Sequence, residues 1–331
     1  MQNISDTTGA FDATFDQQSI FYRSWVHPDP IGCVYIAHGM SEHSGRYADF
    51  ARFLCGELSV SVFATDHRGH GRTACPQDES EIKNLGIFQT SKDLSAVNCL
   101  EIMGQDLLDL VKRNHSEKPL PIILFGHSMG SLVARWAIRL SSADILSQIR
   151  GVVLSGIPTT PGAHERGPLL LLLNMGLAMG RGRDTLHEFI MGKFDDEVRK
   201  IRKNPKLPKS CFISSAEAEL AAFHADPLCG QTVDLHIWKS VRSTMIGLMD
   251  PKSFFSSLGD TKLSFVYVSG RLDPICNYGH TAELQSRQLA KLGHEVTEVY
   301  LSGCQHEFLH ETERVRKIGL EQVGTWMKCR L

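Results

Sequence analysis

Short apolar runs alternate with helix-like segments along most of this chain, and this alternation is the strongest constraint on its fold. The runs are rich in β-branched residues and lie at positions 32–37, 60–65, 122–125, 152–155, 263–268 and 296–301. Segments with helical periodicity lie at 47–58, 93–112, 130–140, 280–292 and 314–327. The alternation predicts a mostly parallel sheet covered by helices on both faces. Residues 19–25 are expected to add an antiparallel strand at its start.

The alternation stops between residues 155 and 263, where no convincing strand pattern occurs. A loop of that length is uncommon inside a compact domain, so the stretch is better explained as an insertion with helices of its own. We expect a core made of residues 1–161 and 245–331, with a helical cap inserted at 162–244.

The composition is that of a globular protein without a strong electrostatic field. Hydrophobic residues make up 42% of the chain, charged residues make up 22%, and the formal net charge is -2. This balance argues against a nucleic-acid partner. Nine cysteines without a C-x-x-C pair indicate free thiols in a reducing compartment.

The N-terminal residues are polar and acidic and do not resemble a signal peptide. The longest apolar stretch, at 168–179, is too short to cross a bilayer. We therefore expect a cytoplasmic protein, and transient contact of the cap with a membrane surface stays open.

The pattern G-H-S-M-G at residues 126–130 follows an apolar run and precedes a helical segment. A serine at such a junction projects its hydroxyl away from the sheet, and the flanking glycines permit the tight turn. The helix that begins there directs free backbone N–H groups toward negative charge beside the hydroxyl. Ser128 is therefore predicted to be a nucleophile, and the alternative is a buried serine in an ordinary turn.

A serine nucleophile requires a base, and the base requires an acid that orients it. His306 follows the last apolar run and Asp273 follows the run before it, so both are expected at the carboxyl edge of the sheet. The order Ser128, Asp273, His306 is the one that G-x-S-x-G hydrolases use. Taken singly, Asp273 could belong to a turn and His306 could cap a helix. Asp226 is a second candidate acid, which we rank lower because it lies in the insertion.

The negative oxygen of a tetrahedral intermediate requires hydrogen-bond donors. The predicted donors are the backbone N–H of Met129, directly after the nucleophile, and that of Met40, at the end of the run 32–37. His38 is interpreted as a buried residue that shapes this loop. Histidines also occur at positions 43, 67 and 70, but the spacing matches no known zinc pattern, so we predict no metal.

These motifs resemble those of monoacylglycerol lipases and related lysophospholipase-like serine hydrolases. The sequence H-G-M-S-E-H-S-G-R-Y at residues 38–47 is similar to a signature of that family. Segments 66–71, 126–130 and 270–273 agree with the family in order and spacing. The resemblance extends from residue 20 to residue 326 and is weakest in the insertion.

The resemblance implies the α/β-hydrolase fold, with a mostly parallel eight-stranded sheet flanked by helices and a helical cap. It implies the same nucleophile, base, acid and oxyanion donors as the motifs above, with no cofactor and an apolar acyl tunnel beneath the cap. The chain departs from the family at Ser131, where many relatives have glycine. We interpret this serine as a residue that tightens the packing of helix on strand.

The most apolar part of the insertion is the leucine run at 169–173. A helix that is apolar all round must be buried, contact lipid or line an apolar cavity. We predict that Leu169, Leu170, Leu172 and Leu173 bind the acyl chain of a small acyl-lipid or ester substrate. Packing of the cap onto the core is an equally good explanation of these leucines.

The predicted reaction is hydrolysis of a carboxylic ester of a monoacylglycerol or lysophospholipid through an acyl-enzyme on Ser128. A carboxylesterase for small esters and a serine aminopeptidase are the alternatives on the same fold. A non-catalytic binding protein is the alternative from another class, because a fold does not determine a function.

Overall fold

The protein has one eight-stranded sheet in the part of the chain that the computed structural model describes. The described residues are 4–76, 79–115, 119–159, 173–176, 179 and 182–331. The strands are β1 (Ser5–Asp12), β2 (Ser19–Val26), β3 (Gly32–Ala37), β4 (Val60–Thr65), β5 (Ile122–His127), β6 (Ile149–Ser155), β7 (Ser264–Gly270) and β8 (Glu295–Leu301). Their order across the sheet is β1-β2-β4-β3-β5-β6-β7-β8.

All neighbouring strands from β4 to β8 across the sheet are parallel, and β1 and β2 are antiparallel additions at one edge. This arrangement confirms the predicted mostly parallel sheet with an antiparallel start. Strand β1 was not predicted, because the polar sequence S-D-T-T-G-A-F-D lies mostly exposed at the sheet edge and carries no apolar run.

Helices cover both faces of the sheet, as predicted. On one face α1 (Ala48–Leu58) and α11 (Glu313–Lys328) pack against β-strand residues such as Val34 and Ile36. On the other face α3 (Cys99–His115), α4 (Met129–Leu140) and α10 (His280–Lys291) share a core with Tyr35. Successive residues of β3 therefore belong to opposite cores, as the alternation of side chains along a strand requires. The remaining helices of the core are short: α2 (Gly71–Ala74) and α5 (Ala143–Gln148).

Helix α3 begins at Cys99, six residues later than the predicted 93. The side chain of Asn98 accepts hydrogen bonds from the N–H groups of Leu100 and Glu101, which caps the helix there. Upstream, the side chain of Asp93 accepts from the N–H of Ser95 and holds a separate turn. Because of these local side-chain bonds, the helix begins later than periodicity alone indicates.

Between β6 and β7 the described residues form helices and no strand, as expected for a helical insertion. These helices are α6 (Arg183–Ile201), α7 (Glu217–Ala225), α8 (Leu235–Gly247) and α9 (Pro251–Phe254). Helix α8 is hydrogen-bonded to two helices of the core. Ser240 Oγ accepts from the N–H of Cys99 at the start of α3, and Thr244 Oγ1 accepts from the indole N–H of Trp136 in α4. The cap boundaries at 162 and 244 stay a prediction.

The nine cysteines are free thiols. Within the described ranges no helix has the length and apolar character that crossing a membrane requires. Three of the predicted acyl-binding leucines, Leu169, Leu170 and Leu172, lie outside the described residues.

Candidate active site

Ser128 lies at the sharp turn between β5 and α4. Its backbone φ of 51° is in the left-handed region, which residues other than glycine seldom adopt. A Cβ at Gly126 would approach the carbonyl oxygen of Gly130 to 2.5 Å, and a Cβ at Gly130 would approach that of Ala37 to 2.0 Å. Both glycines are therefore needed for this turn, which leaves the serine half-exposed beside two cavities.

Asp273 and His306 follow the neighbouring strands β7 and β8. Asp273 Oδ2 lies 2.9 Å from His306 Nδ1, and the other carboxylate oxygen accepts a hydrogen bond from the N–H of Ile275. Both side chains are buried, and His306 lines a cavity that Ser128 also lines. The structure thus brings the three predicted residues to one edge of the sheet, while their catalytic roles stay predictions.

The pKa shifts of the Asp273–His306 pair favour an ionised carboxylate and a more basic imidazole. Burial alone would raise the pKa of Asp273 and lower that of His306, but the attraction between the two outweighs burial. The pKa of Asp273 is therefore lowered and the pKa of His306 is raised. An imidazole in this state is suited to take a proton from a hydroxyl and hold it.

The predicted oxyanion donors lie on either side of Ser128. Met129 begins α4 and Met40 lies just after β3, and both line a cavity with Ser128. In the described part of the chain, their backbone N–H groups have no backbone acceptor. Two free donors beside a serine are what a developing oxyanion requires, although the role of each stays a prediction.

One cavity beside Ser128 is almost entirely apolar, and we call it the apolar compartment. It has a volume of about 130 Å³. Its wall comes largely from helices α6 and α8 of the insertion and the helical turn at 173–176, and includes Leu173, Leu186, Ile190, Trp238, Val241 and Met245. Leu173 lines this cavity and also packs against Leu186 and Leu235, while its binding of an acyl chain stays a prediction.

A second cavity beside Ser128, the polar compartment, has a volume of about 330 Å³. Charged side chains of its wall are Glu42, Glu188, Asp195, Arg199, Lys209 and Glu307. Both cations already have anionic neighbours, since Lys209 lies 3.4 Å from Glu188 and Arg199 lies 3.0 Å from Asp196. Ser128 is thus located between an apolar space and a polar one.

A known family model matches most of the chain. A family model named Hydrolase_4 and described as serine aminopeptidase, S33, matches residues 28–313. The chain belongs to this family.

Monoglyceride lipases are among the relatives of this Hydrolase_4 chain. Monoglyceride lipase of Rattus norvegicus is 24% identical over 318 residues, which are 96% of this chain and 89% of that protein. Monoglyceride lipase of Homo sapiens is 33% identical over 141 residues, which are 42% of this chain and only 39% of the human protein.

The solved structure of a thermostable carboxyl esterase from Bacillus coagulans, in complex with glycerol, has the same fold. It superposes with a TM-score of 0.78 at 23% identity, and the match covers 98% of this chain and 99% of that one. The predicted α/β-hydrolase fold and the predicted enzyme class, a carboxylic ester hydrolase, are confirmed.

A buried network in this Hydrolase_4 chain was missed by sequence reasoning. Arg46 donates to Glu42 and makes two hydrogen bonds with Glu307, the residue after His306. Glu42 in turn accepts from the N–H of Gly39, in the loop of the proposed oxyanion donor. Burial would raise the pKa of Glu307, but the charge of Arg46 lowers it to about 2. In the sequence, Glu42 and Arg46 are visible together in the E-H-S-G-R stretch at 42–46. Glu307, the other partner of Arg46, lies 261 positions further along the chain, so no local pattern connects it to them.

The buried histidines near the site support its loops. His38 Nδ1 lies 2.7 Å from the carbonyl oxygen of Gly39, and His38 Nε2 accepts a hydrogen bond from the N–H of His67. These contacts agree with the interpretation of His38 as a residue that shapes the loop. Burial and then the proximity of His306 lower the pKa of His127 to about 3, so this neighbour of Ser128 stays neutral.

Asp226, the alternative acid, lies elsewhere: its Oδ2 is 2.9 Å from His43 Nε2. Potential metal-ligand atoms come within 4.8 Å of one another in two groups of described residues, His43 with Asp226 and Cys229, and Glu42 with His127 and Glu307. In each group carboxylates already have partners, His43 for the first and Arg46 for the second. Neither group includes the histidines at 38, 67 and 70 that the sequence analysis considered.

Proposed function

We propose that this enzyme hydrolyses the ester bond of monoacylglycerols through an acyl-enzyme on Ser128. The observation that carries the proposal is the position of Ser128 between the apolar compartment and the polar compartment. A monoacylglycerol has one long apolar chain and one small polar alcohol, which meet at the ester carbonyl. An ester bound across Ser128 would therefore have its chain in one compartment and its glycerol in the other.

The proposed reaction has two steps. His306 takes the proton of Ser128 as the hydroxyl oxygen attacks the acyl carbonyl, and the N–H groups of Met40 and Met129 stabilise the oxyanion. The glycerol leaves with the proton from His306, and the acyl group stays on Ser128. Water, activated by His306, then attacks the acyl-enzyme and releases the fatty acid. Asp273 stays ionised and holds the imidazole in the required orientation.

The charges of the polar compartment favour glycerol over a phosphate-containing headgroup. Its wall has four carboxylates and two cations, and Arg46 behind Glu42 and Glu307 adds one more cation. An anionic phosphodiester in this space would meet more carboxylates than cations, and both wall cations are already paired. An uncharged polyol has no such cost and can use the carboxylates as hydrogen-bond acceptors. We therefore favour monoacylglycerols over lysophospholipids.

The second candidate is an aminopeptidase, which the description of the Hydrolase_4 family suggests. The excess of carboxylates in the polar compartment could bind the ammonium group of a peptide. However, Asp195 accepts hydrogen bonds from the N–H groups of Ser210 and Phe212, and Glu188 is paired with Lys209. Because these two carboxylates already have partners, we rank this function second.

We also propose that the insertion contacts a lipid surface transiently. Large apolar side chains of the insertion are exposed at Met175, Met179, Phe189, Ile201 and Ile246. Helices α6 and α8, which carry some of these exposed groups, also form much of the wall of the apolar compartment. Contact of these helices with a membrane would allow a substrate to pass into the compartment without crossing water. Sedimentation with neutral phosphatidylcholine vesicles tests this, with Phe189→Ser and Met179→Ser together expected to reduce binding. Equal binding by this double variant and the wild type would contradict it.

A substrate panel tests the proposed function. The wild type and Ser128→Ala would be assayed with a monoacylglycerol, a lysophosphatidylcholine of the same acyl chain, p-nitrophenyl esters from acetate to palmitate, and amino-acid p-nitroanilides. We expect turnover of the monoacylglycerol and of medium- or long-chain esters by the wild type only. Preference for the lysophospholipid would overturn the headgroup argument, and preference for acetate would indicate a small-ester carboxylesterase. Hydrolysis of anilides alone would support the aminopeptidase.

A further inference from the structure

Ser131 directly follows the G-H-S-M-G pattern, and its hydroxyl has a specific partner. Ser131 is completely buried, and its Oγ donates a hydrogen bond of 2.6 Å to the carbonyl oxygen of Ser128. The N–H of Ser131 also donates to that oxygen, at 3.0 Å. The hydroxyl is therefore bound to the nucleophile's own backbone, which packing of helix on strand does not explain.

The carbonyl oxygen of Ser128 and the N–H of Met129 belong to one planar peptide group. That N–H is one of the two proposed oxyanion donors. A hydrogen bond accepted at the oxygen of a peptide withdraws electron density from its nitrogen and strengthens the N–H as a donor. It also fixes the plane, and so the direction in which the N–H points. Ser131 thus acts on the oxyanion donor from the opposite side of the same peptide.

The hydrogen bond from Ser131 acts on a peptide whose orientation matters for catalysis. Ser128 has a φ of 51° and a ψ of -120°, so the Ser128–Met129 peptide that follows it is held in a conformation that the backbone alone does not favour. An added hydrogen bond on the Ser128–Met129 peptide opposes its rotation away from the catalytic orientation. Catalysis by an oxyanion hole depends on such preorganisation, because donors that must first reorient stabilise the transition state less.

We propose that Ser131 is a positioning residue for the oxyanion hole, which it orients and polarises through the Ser128–Met129 peptide. The proposal rests on the proposed serine-hydrolase function and adds a residue to it. Since Ser131 touches no reacting atom, its effect must be smaller than the roughly hundred- to thousandfold loss expected when an oxyanion donor itself is removed.

The test compares Ser131→Ala and Ser131→Gly with the wild type on a medium-chain p-nitrophenyl ester. We expect kcat to fall about fivefold in both variants with KM within about twofold, because the lost interaction is stronger in the transition state than in the ground state. The affinity for an alkylboronic acid, which forms a tetrahedral adduct on the serine, should weaken by the same factor as kcat. Ser131→Thr keeps a hydroxyl that can reach the same carbonyl and should restore most of kcat.

The matched control is Ser141→Ala. Ser141 closes the same helix α4, and its Oγ donates to the carbonyl oxygen of Ala137 at 2.8 Å, far along the helix from Ser128. This variant should keep the wild-type kcat and boronate affinity. Melting temperatures of all variants separate stability from catalysis.

Unchanged kcat and boronate affinity in Ser131→Ala, with only a lower melting temperature, would overturn the proposal and leave Ser131 as a packing residue. The glycine variant is a second substitution that removes the hydroxyl, so the test does not depend on the folding of the alanine variant alone. Wild-type turnover and its loss in Ser128→Ala test the proposed function separately, because the Ser131 variants are judged by their ratio to the wild type.

Discussion

Arg46 Nη2 lies 2.6 Å from Glu307 Oε2, and this buried ion pair joins two loops that are distant in sequence. The loop after β3 contains the proposed oxyanion donor Met40, and the loop after β8 contains the proposed base His306. Through Glu42, Arg46 is also linked to the backbone N–H of Gly39. One guanidinium therefore links the loop of the proposed donor to the loop of the proposed base.

The first prediction concerns this guanidinium. Arg46→Met would leave the carboxylates of Glu42 and Glu307 buried without a cation, so the free energy of unfolding should fall by about 3–5 kcal/mol. Activity should fall as well, because both loops lose their link. Urea denaturation measures the first effect. The control is Arg52→Met, which removes an exposed arginine paired with Asp6 and Asp49 and should cost less than about 1 kcal/mol. Equal stability of the two variants would contradict the role given to Arg46.

The second prediction concerns the dependence of kcat/KM on pH. His306 must be neutral to act as a base, so activity should be lost as the pH falls through its pKa. Asp273 raises that pKa despite burial, so the loss should begin above pH 6.5, the ordinary pKa of histidine. Asp273→Asn should move the loss to lower pH and reduce kcat by about 10⁴-fold. Asp226→Asn is the control and should keep the wild-type profile, because Asp226 contacts His43. A profile of Asp273→Asn that matches the wild type would refute the assignment.

The sequence predicted the fold closely where short-range patterns determine structure. Buried β-branched runs located β3 to β8 within a few residues, and the G-x-S-x-G pattern located the turn at Ser128. The polar edge strand β1 has no such pattern, and the start of α3 depends on side-chain caps at Asn98. The Arg46–Glu307 ion pair joins positions that only the folded chain brings together. The two compartments likewise depend on how α6 and α8 lie over Ser128, which no local pattern encodes.

The third prediction separates acyl binding from packing at Leu173. Leu173→Asn places an amide on the wall of the apolar compartment, so kcat/KM for long-chain esters should fall about tenfold more than for acetate esters. A chain-length series of p-nitrophenyl esters measures the difference. Leu220→Asn is the control, since Leu220 is buried in a different cluster of the insertion with Phe212 and Phe223. Equal losses at all chain lengths in Leu173→Asn would favour packing.

The fourth prediction concerns acid stability. Burial, followed by nearby histidines, lowers the pKa of His67 and of His127 to about 3, from an ordinary 6.5. Below pH 6.5 the unfolded chain therefore binds protons that the folded chain does not, and stability falls as the pH falls toward 3. Each such histidine contributes a slope of about 1.4 kcal/mol per pH unit. His306, whose pKa is raised, is already protonated in both the folded and the unfolded chain below pH 6.5, so it adds no slope there.

Urea denaturation at pH 7.5, 6.5, 5.5 and 5.0 would measure that slope. His67→Gln removes one of the titrating groups, so its slope below pH 6.5 should be shallower than that of the wild type by about 1.4 kcal/mol per pH unit. An identical slope in the variant would show that His67 titrates normally in the folded protein.

The central claim, that Ser128 forms an acyl-enzyme, is tested most directly by a long-chain alkyl fluorophosphonate. This reagent forms a stable adduct with an activated serine, and peptide mass spectrometry identifies the modified residue. We predict one adduct, on Ser128, with loss of ester hydrolysis in proportion to labelling, protection by monoacylglycerol and no labelling of Ser128→Ala. An unmodified Ser128 in protein that still hydrolyses esters, or full activity in Ser128→Ala, would contradict the claim.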